Sequence, residues 1–163
     1  MLILIPPSEG KSSKNIISTK FTETNFIFSE KVKQIIEILK NNNEEIEKVY
    51  GTSLEKSKEL QKKNLEVFSS ECSMAIERYT GVVYNQIDWK SFSEESKIYF
   101  NSNIRIFSGL FGMVKPNTLI PDYKLKMNVL GLTKFWSPFL TKEIYKEDLI
   151  IDLLPEIHRK AYE

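Results

Sequence analysis

The chain has 163 residues, 41% of them hydrophobic and 28% charged, which is typical of one soluble globular domain and does not indicate disorder. Its formal net charge is only +1, so a surface that attracts nucleic acid must be a local concentration of lysines rather than a global field. The single cysteine, Cys72, excludes an internal disulfide and favours a reducing compartment.

The first apolar run, Leu2 to Ile5, is too short for a signal peptide and has no basic region before it. No other stretch approaches the roughly 20 apolar residues of a membrane helix. We therefore expect a cytoplasmic protein that does not engage a membrane.

Leu2 to Ile5 is closed by two prolines, which predicts a strand buried on both faces. The loop Ser8-Glu9-Gly10-Lys11 follows and resembles the end of a phosphate loop. The full pattern needs a glycine five residues before Gly10, where Ile5 stands, so a Walker nucleotide site is disfavoured. A glycine, a lysine and hydroxyl groups at the end of a strand are still suited to hold an anion.

A core-facing helix is predicted to begin near Ser29. Its apolar residues recur at helical spacing, at Val32, Ile35, Ile36 and Leu39. Two further helical segments are predicted between Glu44 and Ser70, separated near Gly51 and with Ser53 as a cap. This is the bare outline of a helix-hairpin-helix, which clamps a nucleic-acid backbone, but one of the two usual glycines is absent. We favour a solvated charged face here over a binding surface.

The residues around the turn at Gly81 form a second candidate site. Arg78, Tyr79 and Tyr84 flank this turn, so one cation and two phenolic hydroxyls can converge there. Arg78 can equally pair with a structural carboxylate. A short helix is predicted to follow Ser93.

Ile104 to Phe107 predicts another strand, and the loop from Ser108 to Pro116 follows it. Gly109 and Gly112 allow the backbone of this loop to turn sharply or to approach another group closely. Polar residues then follow near the end of the strand, where open α/β sheets usually bind ligands. These are Lys115, Tyr123, Lys124 and Lys126. The alternative is a well-packed crossover whose lysines are only solvated.

The last third of the chain predicts a helix after Gly131 that carries an apolar aromatic stripe, with Pro138 kinking it or lying in its first turn. Leu149 to Leu153 predicts a strand, and Glu156 to Tyr162 a final helix. The order of elements predicts a single domain, residues 1–163, of mixed α/β class, with a small mixed sheet and flanking helices.

No complete catalytic pattern is present. His158 is the only histidine and Cys72 the only cysteine, so a zinc or iron site of clustered Cys and His is excluded within one chain. We predict no metal and no cofactor, and we interpret these two residues as a buried thiol and a surface imidazole. Glu9 is suited to acid-base work, but it can equally neutralise Lys11.

Five blocks of sequence occur in a diagnostic order. They are Leu2–Lys11, Tyr79–Tyr84, Ser108–Gly112 with Pro116, Tyr123–Met127 and Phe135–Trp136. Together they resemble the peroxide stress resistance protein YaaA family. The resemblance implies a cytoplasmic bacterial protein of mixed α/β fold with no assigned cofactor. It also implies binding of double-stranded or distorted DNA through a positively charged cleft with a helix-hairpin-helix-like element, and a role in limiting free iron and oxidative damage during hydrogen peroxide stress.

The resemblance also implies particular site residues. Those expected to bind DNA or another anion are Lys11, Arg78, Lys115, Tyr123 and Lys124. Apart from the resemblance, the residues that the two loops and the Gly81 turn are expected to contribute to a pocket are Ser8, Glu9, Gly10, Tyr84, Ser108, Gly109 and Gly112. Lys115 and Lys124 stand where the family tends to have arginine, which keeps the charge but loses the planar fork. Lys126 replaces a residue that is usually acidic.

The family normally continues for some tens of residues past the segment that matches Leu149 to Tyr162. We therefore expect either a C-terminally truncated domain or a shortened relative of the family. In both cases a strand edge or apolar face is expected to be exposed and available for self-association.

Three functions stay open. The first, which we favour, is a non-enzymatic DNA-binding stress protein whose lysines neutralise phosphates. The second is a small-molecule or nucleotide-binding enzyme that uses the pocket between the Ser8–Lys11 and Ser108–Pro116 loops. A deep pocket containing Glu9, Lys11, Arg78 and Ser108 favours the enzyme, and a shallow open cleft favours DNA. The third is an interaction domain that is inactive alone.

Overall fold

The computed structural model describes residues 1–42 and 44–162 of the chain. Its strands are β1 (Leu2–Ile5), β2 (Ile17–Lys20), β3 (Glu71–Met74), β4 (Ile104–Ser108), β5 (Gly112–Val114), β6 (Leu119–Pro121) and β7 (Ile150–Asp152). Its helices are α1 (Ser29–Lys40), α2 (Ile46–Tyr50), α3 (Leu54–Leu65), α4 (Ala75–Arg78), α5 (Val82–Asn85), α6 (Glu94–Asn103), α7 (Leu132–Ile144) and α8 (Glu156–Arg159). The predicted α/β class is confirmed.

The first sheet has the strand order β5-β4-β1-β7 and is mixed, as predicted. β1 runs parallel to both β4 and β7, with Ile5 opposite Ile106 and Leu4 opposite Asp152. Because β1 and β4 are parallel neighbours, their carboxyl ends lie at the same edge of the sheet. The loops that follow Ile5 and Ser108 therefore start side by side.

The second sheet, with the order β2-β3-β6, is antiparallel, and the sequence did not predict it. Its strands are three or four residues long and come from segments that are far apart in the chain. Strands this short show no readable alternation, so their pairing partners decide that they form at all. The structure thus has two sheets where one small sheet was expected.

The predicted helical segments are present in the first half of the chain. α1 buries all four of its predicted apolar positions. α2 ends at Gly51, whose φ of 65° is left-handed, and α3 begins after Ser53, whose Oγ accepts a hydrogen bond from Lys56 N. α2 and α3 therefore form the predicted pair of helices joined by a tight turn.

α7 secures the loop that follows β4. Pro138 lies in the interior of this helix rather than in its first turn. The side chain of Trp136 is fully buried, and its indole Nε1 donates to the carbonyl of Gly109 at 2.9 Å. The loop is anchored from within as well, because Leu110 and Phe111 are also fully buried.

β7 forms one edge of the first sheet, and no other described strand pairs with its outer side. Alternate residues along this edge leave 54%, 39% and 59% of their surface exposed, at Leu149, Ile151 and Leu153. An unpaired strand edge with exposed apolar side chains beside it is therefore present, as expected, while self-association through it stays a prediction. Over the described ranges, no helix has the length and apolar character that crossing a lipid bilayer requires.

Candidate functional site

A cavity of about 240 Å³ opens at the carboxyl ends of β1 and β4. It is formed by residues 7–9 and Lys11, by Gly109, by residues 123–128 and by Ile157 and His158. We name this cavity the Lys11 pocket. Its walls come from four segments that are distant in the chain, and the parallel pairing of β1, β4 and β7 gathers the strands that lead into three of them.

The loop after β1 is fixed by hydrogen bonds to the residues around Tyr79. Lys11 and Tyr79 form a short antiparallel bridge, and Thr80 N donates to the carbonyl of Gly10 at 3.1 Å. A Cβ atom on Gly10 would lie 2.6 Å from the Thr80 hydroxyl, so any larger residue here would have to displace the Thr80 side chain. The pairing holds Lys11 in one place at the base of the pocket.

The Lys11 ammonium lies between aromatic rings. Its Nζ is 4.3 Å from the ring centroid of Tyr123 and 5.4 Å from that of Tyr79, and it donates to the carbonyl of Ser8 at 3.2 Å. Burial lowers the pKa of Lys11 to about 8, and the positive charge of Lys124 adds to the shift. A substantial fraction of this amine is therefore uncharged slightly above neutral pH.

A chain of hydroxyl groups holds the two rings behind Lys11. The hydroxyls of Tyr79 and Tyr123 are 2.6 Å apart, and that of Tyr123 is 2.8 Å from Ser108 Oγ, which accepts from Phe111 N. Burial raises the pKa of Tyr79 well above its usual value and that of Tyr123 to about 12, so both phenols stay protonated. These groups form a rigid wall rather than a set of proton donors or acceptors.

Glu9 joins two lysines at the mouth of the pocket. Its carboxylate lies 2.9 Å from Lys124 Nζ and 3.0 Å from Lys126 Nζ. Hydrogen bonds from these two lysines lower the pKa of Glu9 to about 2, so the carboxyl stays ionised near neutral pH. Glu9 is therefore a counter-ion of the lysines and is poorly suited to the acid-base work considered from the sequence.

α3 holds the lysine-bearing segment in place. Asn64 is fully buried; its side chain accepts from Lys124 N at 2.9 Å and donates to the Lys124 carbonyl at 2.7 Å. Beside it, Lys63 is ion-paired with Asp122. We use the term lysine rim for three partly exposed lysines, Lys63, Lys124 and Lys126. Lys124 and Lys126 line the Lys11 pocket, and Lys63 lies close enough for its charge to lower the pKa of Lys11.

The remaining predicted lining residues divide into two groups. Ser8, Glu9 and Gly109 line the pocket. Gly10, Tyr84, Ser108 and Gly112 lie behind or beside its walls: the Tyr84 hydroxyl donates to the Pro6 carbonyl at 2.6 Å, and Gly112 packs against Trp136. The last four therefore support the loops rather than face the space between them.

Arg78 is placed differently from what the sequence suggested. Only 1% of its surface is exposed, and its guanidinium donates to the carbonyls of Ser12 at 2.7 Å and Ile120 at 3.4 Å. It ties the end of the Lys11 loop to β6 and does not line the pocket. In this arrangement its role is to position the loop, since the guanidinium does not reach the pocket surface.

Lys115 lies at another cavity of about 590 Å³, near the opposite end of β4. β5 runs antiparallel to β4, with Ser108 opposite Gly112 and Ile106 opposite Val114, so the chain has turned back by Lys115. We name this second space the Arg105 cavity, because Arg105 and Lys115 contribute the basic groups of its wall. The structure does not bring Lys115 together with Lys11.

The sequence of residues 1–163 matches the model of the family described as peroxide stress protein YaaA. The chain belongs to this family. Relatives include an uncharacterised protein of Campylobacter jejuni, 30% identical over 99% of this chain and 71% of the relative. UPF0246 proteins of Rickettsia bellii and Clostridioides difficile are 33% and 29% identical over 79% and 100% of this chain. The chain spans 54% of the first of these two and 69% of the second.

His158 is a residue of the pocket in this YaaA family member that sequence reasoning missed. The imidazole lines the Lys11 pocket, and its buried Nδ1 has no hydrogen-bond partner among the described residues. Burial lowers the pKa of His158, which favours the neutral ring at pH 7. A lone histidine near the end of the chain gave no local signal, because only the folding of α8 toward the β1 loop brings it here.

Metal-ligating groups are dispersed in this family member. In residues 1–42 and 44–162, no three His, Cys, Asp or Glu side chains are arranged so that they could hold a metal ion. The pocket instead gathers amines, an imidazole and one carboxylate around a small concave space. This arrangement is suited to bind an anion, and Lys11 adds an amine that can lose its proton.

Proposed function

We propose that this chain acts in the peroxide stress response by binding the phosphate backbone of DNA at the lysine rim, in the bacterial cytoplasm where the DNA lies. The observation that carries the proposal is the pair Lys124 and Lys126 in the Lys11 pocket, with Lys63 near enough to act on the charge of Lys11, in a molecule whose net charge is only +1. A local cluster of this kind attracts phosphates without a global field.

The chemistry of the rim favours binding that ignores base sequence. Lysine ammonium groups act as point charges toward phosphate oxygens, whereas reading bases usually depends on the planar fork of arginine or on amide side chains. In the structure the Glu9 carboxylate is ion-paired with Lys124 and Lys126, so a phosphate that binds these lysines would compete with it. Asn64 keeps the Lys124 backbone in place during that exchange.

This binding offers a physical route to protection from peroxide. Lysines that neutralise phosphates release the cations condensed around DNA. Ferrous iron held on DNA in this way converts peroxide into radicals beside the bases and sugars. A stretch covered by the lysine rim would hold less iron and would therefore suffer less oxidative damage.

The test is a salt titration of binding to a short intact DNA duplex and to the same duplex with a central mismatched bubble. We expect log affinity to fall linearly with log salt, and Lys124→Met or Lys126→Met each to reduce the slope by about one. Lys33→Met is the matched control, because Lys33 is also paired with a glutamate, at 2.6 Å, but lies on α1 away from the pocket. An affinity that does not change with salt concentration would contradict the proposal.

The same salt titration with Lys115→Met tests whether bound DNA extends beyond the lysine rim. Because Lys115 lines the Arg105 cavity and not the Lys11 pocket, we expect this variant to leave the slope unchanged. A reduction as large as that of Lys124→Met would mean that the bound duplex reaches both ends of β4. Comparing the two variants in one titration series separates these two footprints.

A second candidate function is favoured by the presence of Lys11 and His158 in one concave space. In this alternative the pocket binds a small anionic molecule as an enzyme would. The pocket contains Glu9 and Lys11, but Ser108 and Arg78 do not line it, so the arrangement expected of an enzyme is present only in part. Saturable binding of a mononucleotide or of inorganic phosphate, with no affinity for duplex DNA, would favour this alternative.

A further inference from the structure

Lys11 differs from the lysines of the rim in its surroundings. Lys124 and Lys126 are ion-paired with Glu9, and Lys63 with Asp122. Lys11 has no carboxylate at salt-bridge distance in the described residues; its Nζ contacts ring faces and backbone carbonyls. A lysine beside apolar groups and other cations is a good nucleophile, because its uncharged form is favoured there.

We propose that Lys11 forms an imine with the aldehyde of a phosphorylated sugar. Two sources carry this chemistry: the ring-opened deoxyribose at an abasic site in DNA and a free sugar phosphate. The DNA source rests on the proposed function, since the lysine rim would hold the phosphates on either side of the sugar. Base loss follows oxidative damage to DNA, which connects the substrate to the peroxide stress family of the chain.

The reaction balances without any further reagent. The lone pair of the uncharged Lys11 nitrogen attacks the aldehyde carbon, an N–C bond forms, and the carbonyl π pair moves to oxygen to give a carbinolamine after proton transfer. The carbinolamine then loses its hydroxyl and the last nitrogen-bound hydrogen as water, and a C=N bond remains. His158 lines the same pocket, and in this proposal its imidazole carries the protons in both steps.

The size of the pocket agrees with this substrate. Its volume of about 240 Å³ lies below the roughly 300 to 1,000 Å³ of sites for drug-sized ligands. One sugar with its phosphate fits such a space, whereas a base pair does not. An abasic sugar without a base could turn out of the duplex into the pocket at a small unstacking penalty.

The test is reductive trapping of the imine. The protein is incubated with a duplex that contains one abasic site, with the intact duplex, or with deoxyribose 5-phosphate, each in the presence of sodium cyanoborohydride. We expect a covalent adduct on Lys11, located by mass spectrometry of the digested protein, with both aldehyde substrates and none with the intact duplex. The initial rate should rise as the pH increases toward 8, because the pKa of Lys11 is about 8.

Lys11→Arg should abolish the adduct, since a guanidinium keeps the charge but forms no imine under these conditions. Lys14→Arg is the matched control, because Lys14 is an exposed lysine of the same loop and should react as the parent protein does. A thermal melt of each variant shows whether it is folded. Mapping the adduct on the unmodified protein locates the reactive lysine even if Lys11→Arg does not fold.

The outcomes separate this inference from the proposed function. Salt-dependent binding of the intact duplex without any adduct would reject the imine and leave DNA binding in place. An adduct on Lys11 with deoxyribose 5-phosphate but not with abasic DNA would support the imine and reject DNA as its source. An adduct found on the lysine rim, or formed equally by Lys11→Arg, would overturn the assignment to Lys11.

Discussion

The Lys11 pocket and the Arg105 cavity lie near opposite ends of β4 and differ in what their charged groups do. The Arg105 cavity is the larger, at about 590 Å³ against 240 Å³. The guanidinium of Arg105 is already engaged, because it donates to the carbonyls of Asn101, Ser102 and Ile104 at 2.7 to 3.2 Å, where α6 ends. The positively charged group of Arg105 therefore caps the carboxyl end of α6.

The Lys11 pocket is smaller but gathers groups whose chemistry is still available. Lys11 is desolvated without a carboxylate partner among the described residues, and the lysine rim lies in reach of solvent. The volume of a cavity is therefore a weak guide to function in this molecule. The better guide is whether its polar groups are satisfied by the fold or left to meet a ligand.

The strongest test of this comparison is Gly109→Ala. A Cβ atom at Gly109 would lie 2.4 Å from the Leu125 carbonyl oxygen and 2.7 Å from the Lys126 carbonyl carbon, both of them backbone atoms that cannot rotate away. We expect a loss of about 2 to 4 kcal/mol in the free energy of unfolding and weaker DNA binding, because the rim-bearing segment must shift. Urea unfolding and the salt titration measure the two effects.

Gly51→Ala is the matched control for that substitution. Gly51 has a φ of 65° but no atom within 4 Å of a Cβ atom, so alanine there meets backbone strain without a collision. We expect a loss of about 1 kcal/mol and unchanged DNA binding. Equal losses at the two glycines would show that the close approach between the β4 loop and residues 125–126 is not what shapes the pocket.

The pH dependence of stability distinguishes Lys11 from Arg105, the basic groups after which the two cavities are named. The pKa of Lys11 falls from 10.5 to about 8 on folding, so above pH 8 the unfolded chain binds more protons at this site and stability rises with pH. Between pH 8 and 9.5 the rise amounts to about 1.6 kcal/mol. The difference in unfolding free energy between the parent protein and Lys11→Met, followed over pH, isolates the contribution of Lys11 from the titration of Cys72 and the tyrosines.

Arg105→Met should lack this signature. Burial lowers the pKa of Arg105 from 12.5, but an arginine stays charged in both states across the window from pH 8 to 9.5. We therefore expect Arg105→Met to destabilise the protein by the same amount throughout that window. Urea unfolding at several pH values checks both variants, and a parallel pH profile for Lys11→Met and the parent protein would refute the desolvation of Lys11.

The sequence predicted much of the pocket because its main loops follow recognisable strands. Continuous apolar runs indicated β1 and β4, and the glycines after them indicated sharp turns at Ser8–Lys11 and Ser108–Gly112. Lys115 was misplaced relative to Lys11 for a physical reason: the expected loop contains β5, which returns along β4 and carries Lys115 to the far end. Three residues of strand are too few to show a pattern.

The positions of Arg78 and His158 depend on contacts that no local pattern encodes. Arg78 is buried because carbonyls of Ser12 and Ile120, which are 66 and 42 residues away, meet its guanidinium. His158 reaches the pocket because α8 folds back after β7 pairs with β1. In both cases a long-range pairing of short elements decides whether a polar side chain supports the site or faces it.

The smallest effect is expected at the unpaired edge of β7. This edge is near the Lys11 pocket in the chain, because β7 leads directly into α8, which carries the pocket residue His158. Unpaired apolar edges promote association between chains. We expect weak, concentration-dependent dimers in light scattering, abolished by Ile151→Lys but not by Ile98→Lys, which changes an apolar residue on α6 that is 66% exposed. If dimers form, the Lys11 pocket should become less accessible to DNA as the protein concentration rises, whereas the Arg105 cavity should stay accessible. A protein that is monomeric at every concentration would contradict this prediction.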